Sequence, residues 1–172
     1  ENVLSVVEHL DRLAQQSGKS LVLAFEPEPG CVVETTHQAI ALFERLDLPD
    51  SVSRHAGLCY DCCHQAVQFE DPIESFQRIQ AAGIPIGKVQ VSSSLCARAD
   101  EIGSLLSFDE PTYLHQVVAR DESGTLHRAS DLPVFFGDGG RHRKGPALTE
   151  CRVHFHPVSS TQLHPPTHLP LY

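Results

Sequence analysis

Leu58-Cys59-Tyr60-Asp61-Cys62-Cys63-His64, running on through Gln65 to Asp71, decides how the rest of the chain is read. Gly57 to Tyr60 is apolar and β-prone, so it predicts a buried strand. Asp61 arrives where that strand should stop. Asp-x-x-His then lets an acid and an imidazole leave one strand terminus toward a shared pocket, as metal binding or acid/base work requires. Taken alone the pattern is short and common, and a turn-capping Asp61 with a satisfied His64 explains it as well. Other strands ending in the same manner shift that balance.

Working outward, positions 1–16 carry Val3, Leu4, Val6, Val7, Leu10, Leu13 and Ala14 at amphipathic helical spacing, with Gly18 as the stop. Positions 21–25 form a continuous apolar run, expected of a parallel strand covered on both faces. That run halts at Glu26-Pro27-Glu28-Pro29-Gly30, where the prolines end ladder pairing and leave Glu26 at the terminus. Thr35 with Gln38 spells a capping box that opens a helix, and 48–53 reads as loop. The central strand follows at 55–61. Asp71, Pro72 and Glu74 then start a helix whose inward residues are expected to be Ile73, Phe76 and Ile79, with Gly83 ending it. A third strand spans 86–92, with Gln90 near its end.

Strand and helix alternating at short intervals predict an α/β fold with a parallel sheet. Beyond that point 113–120 and 151–156 alternate polar and apolar residues, expected of strands with one exposed face. They would pair antiparallel, as a hairpin-like insertion. Positions 137–145 read as a flexible linker, and 157–172, rich in His, Pro and Ser, as a disordered tail.

Bulk properties narrow the function. Thirteen Lys and Arg against 22 Asp and Glu give a formal charge of -9, which argues against nucleic acid as a partner. No apolar run reaches the ~18 residues of a membrane helix. Six cysteines at 31, 59, 62, 63, 96 and 151 lack the spacing of a secreted disulfide framework and favour a reduced, cytoplasmic compartment. The absence of Met, with a helix opening at residue 1, leads us to expect a fragment of a longer chain.

Glu26, Asp61 with His64, and Gln90 thus project from successive strand ends, which share one face in parallel α/β folds. Glu26, Asp61 and Gln90 are the candidate metal ligands. Oxygen ligands favour Mg or Mn, imidazole favours Zn, and no organic cofactor is expected. Such a cation could polarise a sugar's carbonyl and hydroxyl oxygens during proton transfer.

Three segments carry a resemblance: Leu23-Ala24-Phe25-Glu26-Pro27-Glu28-Pro29-Gly30-Cys31, Cys59-Tyr60-Asp61-Cys62-Cys63-His64-Gln65-Ala66-Val67, and Lys88-Val89-Gln90-Val91-Ser92-Ser93. They resemble the xylose isomerase-like TIM barrels, the sugar phosphate isomerase/epimerase superfamily. Within it the chain most resembles the metabolite traffic protein EboE family, which 113–120 and 152–156 also fit. The resemblance implies a partial (β/α)8 barrel over 1–156, holding about strands five to seven, with the earlier strands and the last one missing. It further implies metal-binding roles for Glu26 and Asp61, and catalytic roles for Glu26 and His64. Gln90 stands where the superfamily usually has His, and the eighth strand's Glu has no counterpart, so catalysis is supported less well than fold.

Two functions follow from different classes. One is a binding or handling protein for a small sugar- or cyclitol-like metabolite. The other is an active metal-dependent isomerase or epimerase. His64 and Gln90 are candidate substrate contacts. His154 and His156, two apart on a strand, would form a ligand pair or simply the polar face of a hairpin, and His115 could join them across it. His115 and His156 are therefore added to the substrate-contact candidates. Unpaired outer strands would favour oligomers.

Overall fold

The computed structural model describes residues 1–137 and 147–155. The linker and tail expected at 137–145 and 157–172 lie almost wholly outside them, as does His156. The described residues are mixed α/β, and among them there are one parallel and one antiparallel sheet and no closed barrel.

The parallel sheet belongs to a unit formed by Glu1–Gln65 and Phe69–Ser92. Helix α1 (Asn2–Ser17) ends where Gly18 turns left-handed at φ 67° and donates its N–H to the Ala14 carbonyl. Strand β1 (Leu23–Phe25) is shorter than the apolar run predicts and only half-buried. Helix α2 (Thr36–Leu46) begins with the expected box, since Thr35 accepts from the Gln38 amide and the Gln38 side chain reaches back. The expected loop at 48–53 is in part a single helical turn, α3 (Asp50–Ser53), started by Pro49 and held by buried Val52. Strand β2 (Ala56–Asp61) is buried at every residue. It passes directly into α4 (Cys62–Val67).

Asp71 caps α5 (Pro72–Ala81) by accepting from the Ile73 and Glu74 amides. The helix meets the expectation at Ile79 but not at Ile73 and Phe76. Ile73 is 69% exposed and Phe76 37%, while Ser75 and Ile79 are buried. Ser75 is drawn in by its hydroxyl, which meets Thr36 Oγ1 and donates to Gln65 Oε1. A hydrophobic count does not register such a polar contact. Strand β3 (Ile86–Gln90) completes the order β1-β2-β3, all parallel, with Phe25 beside Leu58 and Asp61 beside Gln90. Gly57 permits this spacing, because a methyl there would sit 2.5 Å from the Pro85 carbonyl oxygen, whose partner is the Leu58 amide.

The second unit comprises Ala66–Gln68 and the residues from Ser93 onward. Strands β4 (Leu95–Arg98), β5 (Val117–Asp121), β6 (Leu126–Ala129) and β7 (Leu148–Val153) form an antiparallel sheet in the order β4-β7-β5-β6. A 3₁₀ stretch (Ile102–Phe108) and α6 (Leu132–Phe136) bury Leu105, Leu132 and Phe136 against it. The expected antiparallel pairing of two strands is present as β5 with β7, but both are displaced from 113–120 and 151–156. Tyr113 is outside β5 because the Glu110 carboxylate accepts from the Thr112 and Tyr113 amides and holds a turn there. Asp121 closes the β5–β6 hairpin by accepting from the Ser123 and Thr125 amides.

Candidate metal centre

The parallel ladder sets the site. Phe25 is the last residue of β1, so Glu26 leaves at its carboxyl end; Asp61 and Gln90 end β2 and β3 as register partners. The Gln90 amide lies between the two acids, with Nε2 donating to Glu26 Oε1 at 2.6 Å and to Asp61 Oδ2 at 2.7 Å. His64 follows within the first turn of α4. Ligand atoms of Glu26, Asp61 and His64 all fall within 4.8 Å of one another. Four residues taken from three separate segments of sequence are therefore gathered at one sheet end.

Asp61 does structural work as well. Its Oδ1 accepts from the Cys63 amide at 2.8 Å, the His64 amide at 3.4 Å and the Ser92 hydroxyl at 2.5 Å. The first two are orphan donors at the start of α4, so the turn-capping role is real and coexists with a place in the site. Its other oxygen takes the Gln90 amide. The acid is buried and held from four directions.

His64 is buried, and its Nδ1 stands 2.8 Å from the Pro27 carbonyl and 3.7 Å from Glu26 Oε1. A carbonyl only accepts, so Nδ1 carries a hydrogen. The Pro27 that ends β1 thereby also orients the imidazole. Ligation through Nε2 would keep this bond, whereas ligation through Nδ1 would break it.

Three further residues belong to the site and are absent from the candidates read in the sequence. Ser92 Oγ links the Asp61 carboxylate to the Cys63 amide. Lys88 Nζ donates to Gln90 Oε1 at 2.8 Å. Cys59 lies against Glu26, and its thiol is pushed up to about 11 by burial first and by that carboxylate second. The signal was present in each case, since residues two apart on a strand share a face, and 59, 88 and 92 are each two from Asp61 or Gln90. Cys59 and Cys62 also stand at Cys-x-x-Cys spacing. Both are free thiols, Cys59 turned to Glu26 while Cys62 packs with the Leu58–Tyr60–Ile79 core.

The remaining candidates belong to the second unit. His115 is fully buried and stacked on Phe155, with Nδ1 3.4 Å from Asp131 and Nε2 3.7 Å from Glu110, and neither nitrogen makes a hydrogen bond among the described residues. His154 Nδ1 meets Gln116 Oε1 at 2.9 Å.

Two carboxylates and an imidazole suit a divalent cation. Ligands around an ion at ~2.1 Å lie roughly 3–4 Å apart, and the 3.7 Å between His64 Nδ1 and Glu26 Oε1 falls in that range. Comparison with family models, curated proteins and solved structures gives no match to this chain.

Proposed function

We propose that this chain is part of a xylose isomerase-like barrel of the EboE type, which binds a small sugar- or cyclitol-like metabolite at the strand ends carrying Glu26, Asp61, His64 and Gln90. One observation carries the reading: the ligand atoms of Glu26, Asp61 and His64 lie within 4.8 Å of one another at the ends of neighbouring parallel strands. Mn, Mg or Zn would sit between the two carboxylates and fix vicinal hydroxyls of the metabolite through its open positions. The partial (β/α)8 architecture is part of this proposal. It is supported by three parallel strands in sequential order, the first two with an acid and the third with an amide at the carboxyl end. A cytoplasmic setting is consistent with six cysteines that lack the spacing of a disulfide framework.

The second reading, a metal-dependent isomerase or epimerase, draws on the same trio. His64 would act as acid/base through Nε2, and Glu26 as base beside the cation. The Gln90 amide favours the binding reading, because a neutral group supplies a weaker ligand than imidazole.

Calorimetric titration separates these outcomes. The chain is expected to bind Mn²⁺ or Zn²⁺ weakly, and Glu26→Gln to abolish the binding. A panel of sugars and cyclitols should raise the melting temperature in the presence of metal without being converted. Metal-dependent turnover lost in Glu26→Gln would establish the isomerase instead. If neither metal binding nor a ligand-induced shift is seen, the proposal fails.

A further inference from the structure

Lys88 and Gln90 support an inference that rests on the cation seat proposed above and extends it. The two residues are i and i+2 on β3, so both side chains leave the same face of the strand. One edge of the Gln90 amide, the NH₂, serves Glu26 Oε1 and Asp61 Oδ2. The other edge, Oε1, accepts from the Lys88 ammonium at 2.8 Å. The reverse orientation would set the amide oxygen against two carboxylates and the NH₂ against an ammonium. All three bonds would be replaced by contacts of like sign. The amide direction is therefore fixed by its neighbours, and among the described residues the only cation bonded to it is Lys88.

We propose that Lys88 is a positioning residue that keeps the Gln90 amide as a built-in substitute for the metal ion. The NH₂ group bridges the two acids with donors but without a full charge, so a dication that reaches them outcompetes it. To do so the ion must turn the amide and break its bond to Lys88. Once turned, the amide presents Oε1, a hard oxygen, to the ion. The strength of metal binding is then set by an exposed lysine that touches no metal. This accounts for the weak binding expected of a seat that otherwise holds two acids and an imidazole.

The test is Mn²⁺ calorimetry on the whole chain and four variants: Lys88→Met, Lys88→Arg, Gln90→Ala and the Lys88→Met/Gln90→Ala double variant. Lys88→Met should tighten binding on the order of threefold to tenfold, the range that one hydrogen bond accounts for. Lys88→Arg keeps a charged donor and should stay near the parent. In the Gln90→Ala background, Lys88→Met should change nothing, because no amide remains to be held. A gain of the same size in that background would mean that the lysine acts by charge alone, and would overturn the proposal. Equal affinity in the parent and Lys88→Met would overturn it while leaving the cation seat standing. Failure of all five chains to bind Mn²⁺ would overturn both. As an independent readout, titration with diamagnetic Zn²⁺ should shift the side-chain amide resonances of Gln90 in the parent; unmoved resonances with Zn²⁺ bound would also overturn it.

Discussion

At the scale of residues, close approach matters as much as chemistry. Gly57 lies in a fully buried strand where a methyl would meet the Pro85 oxygen at 2.5 Å and Val22 at 3.1 Å. Gly57→Ala should therefore destabilise the parallel unit by about 1–3 kcal/mol, the usual cost of overpacking a core. Chemical denaturation followed by far-ultraviolet dichroism would check this; a change within a few tenths of a kcal/mol would contradict it. Individual residues were unequally legible in the sequence. Glu26 and Asp61 could be read because prolines or an abrupt polar residue mark where their strands stop. Lys88 and Ser92 are less legible in the sequence, because each looks like an ordinary surface residue until Gln90 and Asp61 are seen beside it. The capping role of Asp61 was readable too, and proved to be half of what the residue does.

Elements were most legible where their signals are local. The Thr35–Gln38 box and the Asp71–Pro72 start both fall where the sequence puts them. The antiparallel sheet was legible only in part, because β4 is paired with β7 across more than fifty residues and short strands of that kind carry little pattern of their own. Residues 95–98 and 126–129, four residues each, are too short to show a strand period in the sequence. The β5–β6 hairpin offers a test of pH dependence. The Asp121 carboxyl is held well below the ordinary 3.8, first by its bond to His127 at 2.7 Å and then by Ser123. A carboxylate with a depressed native value contributes stability above the ordinary value, and that contribution is lost as pH falls through the native one. Amide exchange in 117–129 should thus accelerate on acidification below about 3.9. His127→Ala should shift the onset toward higher pH. Exchange rates in that hairpin that are indifferent to acid in both chains would refute the assignment.

At the scale of the whole molecule, two features stand out. Each unit has its own core, with Leu58 and Ile79 in one and Leu105 and Leu132 in the other. The parallel sheet also has only three strands, and among the described residues the outer sides of β1 and β3 pair with no strand. Val89 on β3 is 51% exposed and Val91, just beyond its end, 93%, so apolar side chains are exposed along this unpaired strand. The chain should associate in a concentration-dependent way, and Val89→Lys should reduce that association in sedimentation velocity. A monodisperse parent chain at all concentrations would contradict the edge argument. Lastly, the double use of Asp61 bears on how natural variants of this chain can be interpreted. An aspartate kept at 61 would be favoured by selection for a properly started α4 even after any chemistry had lapsed, so its persistence is a poor witness to activity. Glu26 caps no helix and would drift first, which makes it the position where a surviving acid speaks for a surviving ligand.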